Sequence, residues 1–532
     1  MPCLAGIGGR TTDFRGSGGS AMKSLAADRL LLATLGTVLV FRLWFAATLP
    51  LTGDEAYFVV WGQRPAGGYY DHPPMIGWWL AALLPFGMAE WWLRLPAVLM
   101  PFALAWIAWL LLRHRDRVRA RYAALLTLLL PTDVWNVLVT TDTPVVLFSM
   151  LSVLAYVRGM RHASFRWHAL AGLLLGAAFL GKYFAALLGF AFAAHILFVR
   201  RDRLRFAMLA VLTACALLGP AWNLWWNAGH CWSNILFNFF NRNERSGFAW
   251  ENPLLYLVSV AYLATPWQLW ALWRGRAAVS AAISADAATR AVLWLAAVPL
   301  AIFFLMSFVK AVGLHWLLAF MPLLAVIAAA SLAEAVLQRL IRWSAGFALL
   351  HVLAAALLVS LPLSAWKGSN LHAGAVFTWR GGELAQQLQE PLARCGEGCV
   401  VAMESYSSAA TLSYALRRPV VVFGDGSFHG RQDDLDTDFR SLDGRDFLIV
   451  RKETVREESY SPYFSRIDIA SFAIDGVPMH VVRGQGFRYA VYHERMLTRV
   501  RDRYYRFDRL PSWLPQLGCP LTDRYFPGEA GR

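Results

Sequence analysis

Long, unbroken apolar runs dominate the first two thirds of the chain, rather than the alternating or helix-periodic stripes of a water-soluble core. A run of about 17–25 apolar residues is enough to cross a bilayer as a helix. Candidate spans fall near 26–48, 92–112, 122–138, 143–158, 166–181, 183–199, 205–226, 253–273, 289–309, 313–337 and 344–365, about eleven in all. The pattern changes after residue 365. Residues 399–403, 419–424, 446–450 and 479–482 are short apolar stretches bounded by turn residues, which read as strands, and 405–416 suits a helix after the first of them. The expected fold is an all-α polytopic membrane domain over 26–365, with outer loops at 49–91 and 227–252. A small α/β domain over 366–532 follows it, and a disordered stretch, 1–25, precedes it.

Composition agrees with this reading. Hydrophobic residues make up 57% of the 532 and charged residues only 16%. That excludes disorder, coiled coil and collagen, and leaves too much apolar surface for a soluble enzyme to hide. The net charge of +15 suggests a nucleic-acid partner until its distribution is seen. Residues 1–365 carry 28 Lys and Arg against 14 Asp and Glu, whereas 366–532 carry 22 against 21. Within the membrane part, alternate connectors hold 17 Lys and Arg (Arg113 through Arg121, Arg158, Arg161 and Arg166, Arg200 through Arg205, Arg274, Arg276, Arg290, Arg339 and Arg342). The opposite connectors hold five: Arg64, Lys182, Arg242, Arg245 and Lys310. The rich side is cytoplasmic by the positive-inside rule. With an odd number of spans the tail then lies outside, in the periplasm of a bacterium. The first 21 residues have no apolar core and are not a signal peptide; Met1 and Met22 both fit as the start. Cys395 and Cys399 either pair in an oxidising compartment or remain free thiols. Gly424-Asp425-Gly426 is a turn without a full nucleotide-binding glycine fingerprint. Residues 488–509 read as a basic helix, facing either water or anionic lipid heads.

Eight of the 14 acidic residues of the membrane part fall on the outer side: Asp54, Glu55, Asp71, Glu90, Asp133, Asp142, Glu244 and Glu251. Ionisable groups at a membrane boundary are costly and point to function. Asp54 and Glu55 can act as a general base or hold a cation; the plainer reading makes Asp54 the N-cap of a helix over 55–63. Tyr69-Tyr70-Asp71-His72-Pro73-Pro74 is stiffened by its two prolines, with Trp78 and Trp79 as an interfacial belt. Thr141-Asp142-Thr143-Pro144 is a second acidic motif that also suits an ordinary helix start. Lys182, between two apolar runs, needs an anion such as a phosphate or must snorkel. Asn223, Asn227, Asn234, Asn238, Asn241 and Asn243 crowd one outer loop with His230, Arg242 and Arg245, a set suited to sugars and phosphates. Lys310, His315 and Trp316 form a further outer group. No P-loop, nucleophile triad or zinc-ligand spacing is present.

As an ordered set these residues resemble the polytopic glycosyltransferases of the GT-C superfamily, within the bacterial protein-mannosyltransferase and aminoarabinose-transferase group. The resemblance rests on Asp54-Glu55-Ala56-Tyr57, Tyr70 through Pro74, Arg94-Leu95-Pro96, Thr141 through Pro144, Gly181-Lys182-Tyr183, Trp222-Asn223 with Gly229 through Trp232, and His315-Trp316 with Pro322. It implies a GT-C-type fold and transfer, with inversion, of a sugar from a polyprenyl-phosphate donor to lipopolysaccharide, another envelope glycan or a protein. It implies Asp54 as catalytic base, with Glu55 and Asp142 beside it. Lys182, His72 (if protonated), Arg242 and Arg245 would hold the donor phosphate. Tyr57, Tyr70, Asp71, Arg94, His230, His315 and Trp316 would contact substrate. No cofactor is required, and a divalent metal at Asp54 and Glu55 is compatible with a monophosphate donor but not needed. The aminoarabinose branch carries a basic residue after the acidic pair and Glu-Lys before the prolines. This chain has Ala56-Tyr57 and Asp71-His72, closer to the lipopolysaccharide galacturonic acid transferases. A lipid-linked sugar flippase and a diphosphate-donor glycan ligase are the competing readings.

Overall fold

The computed structural model describes residues 16–244 and 247–528, with side chains from residue 28. Arg245 therefore lies outside the described residues, as does most of the stretch expected to be disordered. The remainder of that stretch is corrected: helix α1 spans Gly16–Thr48 and so begins ten residues before the boundary at 26.

Seven helices among the described residues are long and apolar enough to cross a membrane: Asp28–Thr48, Glu90–Leu112, Asp142–Arg161, Arg205–Ala228, Ala287–Ser307, Leu314–Ser331 and Glu334–Ser360. The other four expected spans are interrupted or short. Leu125 and Thr127 carbonyls close the helix over 117–128, and Pro131 starts a separate short one over 131–135. The run near 253–273 bends by 90° between Ala264 and Pro266. Thr265 there sits at φ +66°, a conformation that takes the chain out of the helix before a proline. Phe165–Phe179 and Tyr183–Val199 are helical but shorter.

Breaking a helix inside an apolar environment frees backbone carbonyls that must find donors. Arg42, buried in α1, supplies them. Its guanidinium donates to Val98 and Ala97 (3.1 and 2.6 Å) and to Asp133, Val134 and Asn136 (2.7, 3.3 and 2.7 Å). The extended segment after residue 135 is held open in this way and passes beside α2 (Gly53–Gln63).

The tail carries a five-stranded sheet of order β2-β1-β3-β5-β4, with β1 at Val400–Met403, β2 at Val421–Val422, β3 at Phe447–Arg451, β4 at Phe464–Ile474 and β5 at Val477–Phe487. β1 runs parallel to β2 and β3, and β5 is antiparallel to β3 and β4. The strand–helix–strand reading holds, since the helix Tyr406–Leu416 follows β1. β4 was not foreseen. Among the described residues there are two disulfides, Cys395–Cys399 and Cys231–Cys519. The second ties the tail to the loop that follows the helix ending at Ala228. Leu517 N–H to the Ala228 carbonyl (2.7 Å) and Arg509 to Glu244 (2.8 Å) reinforce that seam. The tail is thus docked on the segment that follows Ala228.

Candidate active site

The site starts at the first turn of α2. The cap is Thr52, not Asp54. The Thr52 hydroxyl accepts from the Glu55 N–H, and Glu55 returns the bond to the Thr52 N–H (3.0 Å), a capping box. Glu55 is therefore turned inward and Asp54 outward.

Inward, Glu55 meets Arg94. The pair is bidentate, at 2.8 and 2.7 Å, with both side chains wholly buried. Val139 N–H adds a bond at 3.0 Å, and the Thr52 hydroxyl one at 3.1 Å. The Arg94 guanidinium also donates to the carbonyls of Ala46, Leu49 and Pro50, where α1 ends. This hub locks α1, α2 and the extended segment together. It corrects two expectations: Glu55 has no oxygen edge left for catalysis, and Arg94 cannot reach a substrate. It also removes Asp54 and Glu55 as a metal pair, because one of the two carboxylates is already saturated. Among the described residues no group of three His, Cys, Asp or Glu side chains is arranged to hold a metal.

Outward, Asp54 is exposed. Its Oδ1 accepts from the Tyr406 hydroxyl at 3.0 Å, and Tyr406 comes from the tail. Tyr57 steers that ring: the two lie edge to face at 4.8 Å, and the Tyr57 hydroxyl accepts from Gln432 N–H at 3.2 Å. Tyr57 is buried, so it supports the site rather than lining it.

Asp71 is buried, and both its oxygens accept from the Gly430 N–H (3.1 and 3.0 Å). Burial raises its pKa to about 8; Asp54 pushes the same way, while the Gly430 N–H and the cations Arg242 and Arg431 oppose. Gly430 sits at φ +67°, and a Cβ there would stand 2.0 Å from the Tyr406 ring. Only glycine allows this backbone N–H to come so close.

His72 is half-buried near Phe58 and Trp61. Burial, followed by Lys182, Arg242, His315 and His429, holds its pKa well below the usual value. The phosphate role given to His72 only if protonated is thereby disfavoured: the shift favours the neutral imidazole, which can offer a hydrogen bond but not a charge. Tyr70 is fully buried among Phe237 and Tyr505, its hydroxyl accepting from Asn241, and so does not meet substrate.

Asp142 opens the helix Asp142–Arg161 and grips Lys182, both oxygens within 3.1 Å of Nζ. Lys182 is therefore balanced by Asp142 rather than awaiting an anion alone. Arg242 differs. Its guanidinium lies 5.4 Å above the Trp316 ring and makes no hydrogen bond or ion pair with the described residues. Trp316 is buried against Phe184 and Phe303 and forms the floor under Arg242. His315 beside it is exposed.

The asparagines do not form a sugar platform. Asn227 bonds Asn223 and the Asn234 N–H; Asn234 bonds the Tyr69 carbonyl; Asn238 bonds the Asp71 carbonyl. They form a ladder that fixes the Tyr69–Pro74 segment. His230 is also drawn away: its ring stacks on Trp226 at 4.3 Å and its Nδ1 meets the Trp226 carbonyl.

The structure thus gathers Asp54, Asp71, His72, Asp142, Lys182, Arg242 and His315 at one end of the membrane domain. Sequence reasoning missed Tyr406 and His429, which the tail adds. His429 lies between Phe428 and Phe237, close enough to feel Arg242 and Asp54. A cavity of about 380 Å³ at the carboxyl ends of β1, β2 and β3 has Tyr406 and His429 in its wall. Such crevices are the usual ligand sites of parallel sheets.

Helices of this length, with a sheet-bearing tail docked over an ionisable cluster, define a multi-pass membrane protein. Residues 71–226 match the family described as dolichyl-phosphate-mannose-protein mannosyltransferase. The chain is similar to the lipid A galacturonosyltransferase RgtD of Rhizobium johnstonii, 30% identical over 207 residues, which are 36% of this chain and 43% of that protein. The matched part thus spans less than half of that relative's length. Its fold is similar to ArnT from Cupriavidus metallidurans in the apo state (TM-score 0.60, 18% identity, 86% of this chain and 98% of that one). It is similar also to ArnT bound to undecaprenyl phosphate (TM-score 0.58, 16% identity, 85% and 98%). The family match thus covers residues 71–226, the relative about a third of the chain, and the fold likeness most of it.

Proposed function

We propose that the chain is a glycosyltransferase of the bacterial inner membrane that moves a sugar from a polyprenyl-phosphate donor to an extracytoplasmic acceptor, with Asp54 as general base. The observation that carries this reading is the division of labour between two adjacent carboxylates. Glu55 is consumed by Arg94, whereas Asp54 is exposed, oriented by a single phenol, and shares its cluster with the uncommitted Arg242.

In the proposed step an acceptor hydroxyl gives its proton to Asp54 as its oxygen attacks the anomeric carbon. The bond from that carbon to the phosphate oxygen breaks on the opposite face, inverting the configuration, and the electron pair leaves with the polyprenyl phosphate. Arg242 and Lys182 stabilise that growing charge. Asp142 sets the position of Lys182, and His72 offers a neutral hydrogen bond. The crevice beside Tyr406 and His429 gives the acceptor a route to Asp54 through the tail.

If the four interrupted or shorter apolar segments cross the membrane together with the seven long helices, the crossings number eleven and the tail lies outside the cytosol. The excess of Lys and Arg on alternate loops supports that orientation, as do two disulfides on the cluster's side. The similarity to a lipid A galacturonosyltransferase makes galacturonic acid and lipid A the first pair to test. Purified protein should release polyprenyl phosphate from a polyprenyl-monophosphate sugar when lipid A is present. Turnover only with diphosphate-linked or nucleotide sugars would overturn the reading.

A further inference from the structure

At the opposite end of the membrane domain from Asp54 lies a second concave site. It is bounded by α1, the helix Leu95–Leu112 and the helix Arg117–Leu128, and encloses about 650 Å³. Its position follows from the span Asp28–Thr48: residues near Thr48 join the Arg94 hub, while Asp28 lines this cavity. Twenty-one helical residues separate the two ends, about 30 Å at 1.5 Å per residue.

The walls and rim differ in chemistry. Leu31, Leu35, Phe102 and Trp106 form an apolar groove open to the surroundings, with Trp106 59% exposed and stacked at 4.9 Å on Trp109. The rim carries Arg113, His114, Arg117 and Arg121. Asp28 neutralises Arg121 at 2.7 Å. Arg113 lies 5.0 Å over the Trp109 ring, and its Nε is buried without a hydrogen-bond partner among the described residues. Arg117 is exposed and makes no hydrogen bond or ion pair with them. Residues 16–27, which precede Asp28 in the sequence, contain no acidic side chain. Arg158 and Arg161 add to the positive field. Slight burial, then Arg113, Arg161 and Arg158, hold the exposed His114 below its usual proton affinity.

We infer that this cavity binds one anionic glycerophospholipid, its phosphodiester held by Arg113 and Arg117 and an acyl chain laid along Phe102 and Trp106. An apolar groove ending at Arg113 and Arg117, which have no ion-pair partner among the described residues, matches that amphiphile in both halves, and basic pockets between helices on the cytoplasmic side are recognised sites for acidic head groups. A zwitterionic lipid fills the groove but leaves the arginines without a net anion. The site is too far from Asp54 to share a substrate with it, so it acts on the protein rather than in transfer.

The test is native mass spectrometry of the full-length protein in detergent, titrated separately with dioleoylphosphatidylglycerol, dioleoylphosphatidylcholine and a polyprenyl phosphate. One phosphatidylglycerol should remain bound at least about tenfold more tightly than phosphatidylcholine. Arg113→Gln with Arg117→Gln should weaken it by roughly 30-fold, and Arg117→Gln alone by about fivefold, at the usual worth of a basic residue near acidic lipid. Arg117 is exposed, so the single variant keeps the test informative if the double one is unstable. Equal retention of the two phospholipids, variants that bind phosphatidylglycerol as before, or a preference for polyprenyl phosphate removed by the same variants would each overturn the inference.

Discussion

Two neighbouring carboxylates should give opposite phenotypes. Glu55 accepts five hydrogen bonds in a wholly buried position, two of them from Arg94. Arg94→Leu would strand that carboxylate without its counter-charge, and Glu55→Gln would strand the guanidinium. Breaking a buried pair from one side costs about 3–5 kcal/mol, a large share of the roughly 5–15 kcal/mol that keeps a typical domain folded. The hub also joins α1, α2 and the segment carrying Val139, so the loss spreads beyond the pair. Asp54 is exposed and, among the described residues, its one side-chain bond goes to Tyr406; Asp54→Asn should unfold like wild type. Intrinsic fluorescence in detergent reads the difference, since 24 tryptophans report on the fold. The melting temperature should fall by several degrees for Arg94→Leu and Glu55→Gln and stay unchanged for Asp54→Asn. If Glu55→Gln melts like wild type but loses turnover as Asp54→Asn does, the hub is part of the chemistry and the division of labour is wrong.

Three other outcomes follow from the same geometry. Tyr406→Phe removes the phenol that orients Asp54, and kcat should fall by up to about tenfold with KM nearly unchanged, because a bond to a charged group carries about 1.5–3 kcal/mol before solvent screening; a change confined to KM would place Tyr406 on the acceptor instead. Asp71, with a folded pKa of about 8 against 3.8 for the free side chain, contributes most below pH 4 and loses that contribution as pH rises towards 8. Thermal stability should therefore decline over this range, and Asp71→Asn should flatten the decline; an unaltered slope would exclude Asp71 as its source. Cys519→Ser opens a link between residues 288 apart and should cost about 2–4 kcal/mol, seen as faster limited proteolysis of the tail; unchanged proteolysis would show that the remaining seam holds it alone.

How much of this was legible in the chain depended on the range of the interaction. The apolar runs are local, and seven of them became uninterrupted spans. The run near 122–138 hid a break, because Pro131 sits among leucines and the donor that tolerates the break, Arg42, is about 90 residues away. Asp54 and Glu55 look alike in sequence; the group that separates them, Arg94, is 39 residues on. The asparagines looked like a binding surface because residue type cannot show that amides such as those of Asn227, Asn234 and Asn238 are engaged by neighbouring groups. Tyr406 and His429 could not be found at all, since a tyrosine after one strand and a histidine after another carry no signal until the tail docks. β4 escaped because most of it is exposed and its apolar positions do not form a run.

The most direct test of Asp54 as base is mass spectrometry of lipid A, core glycan and glycoproteins from cells whose only copy carries Asp54→Asn, compared with wild type and with a deletion strain at matched protein level. The account predicts that the variant loses the same single-sugar mass as the deletion, consistent with a general base worth about 10²–10⁴-fold in rate. A wild-type glycan profile from the Asp54→Asn strain would contradict it.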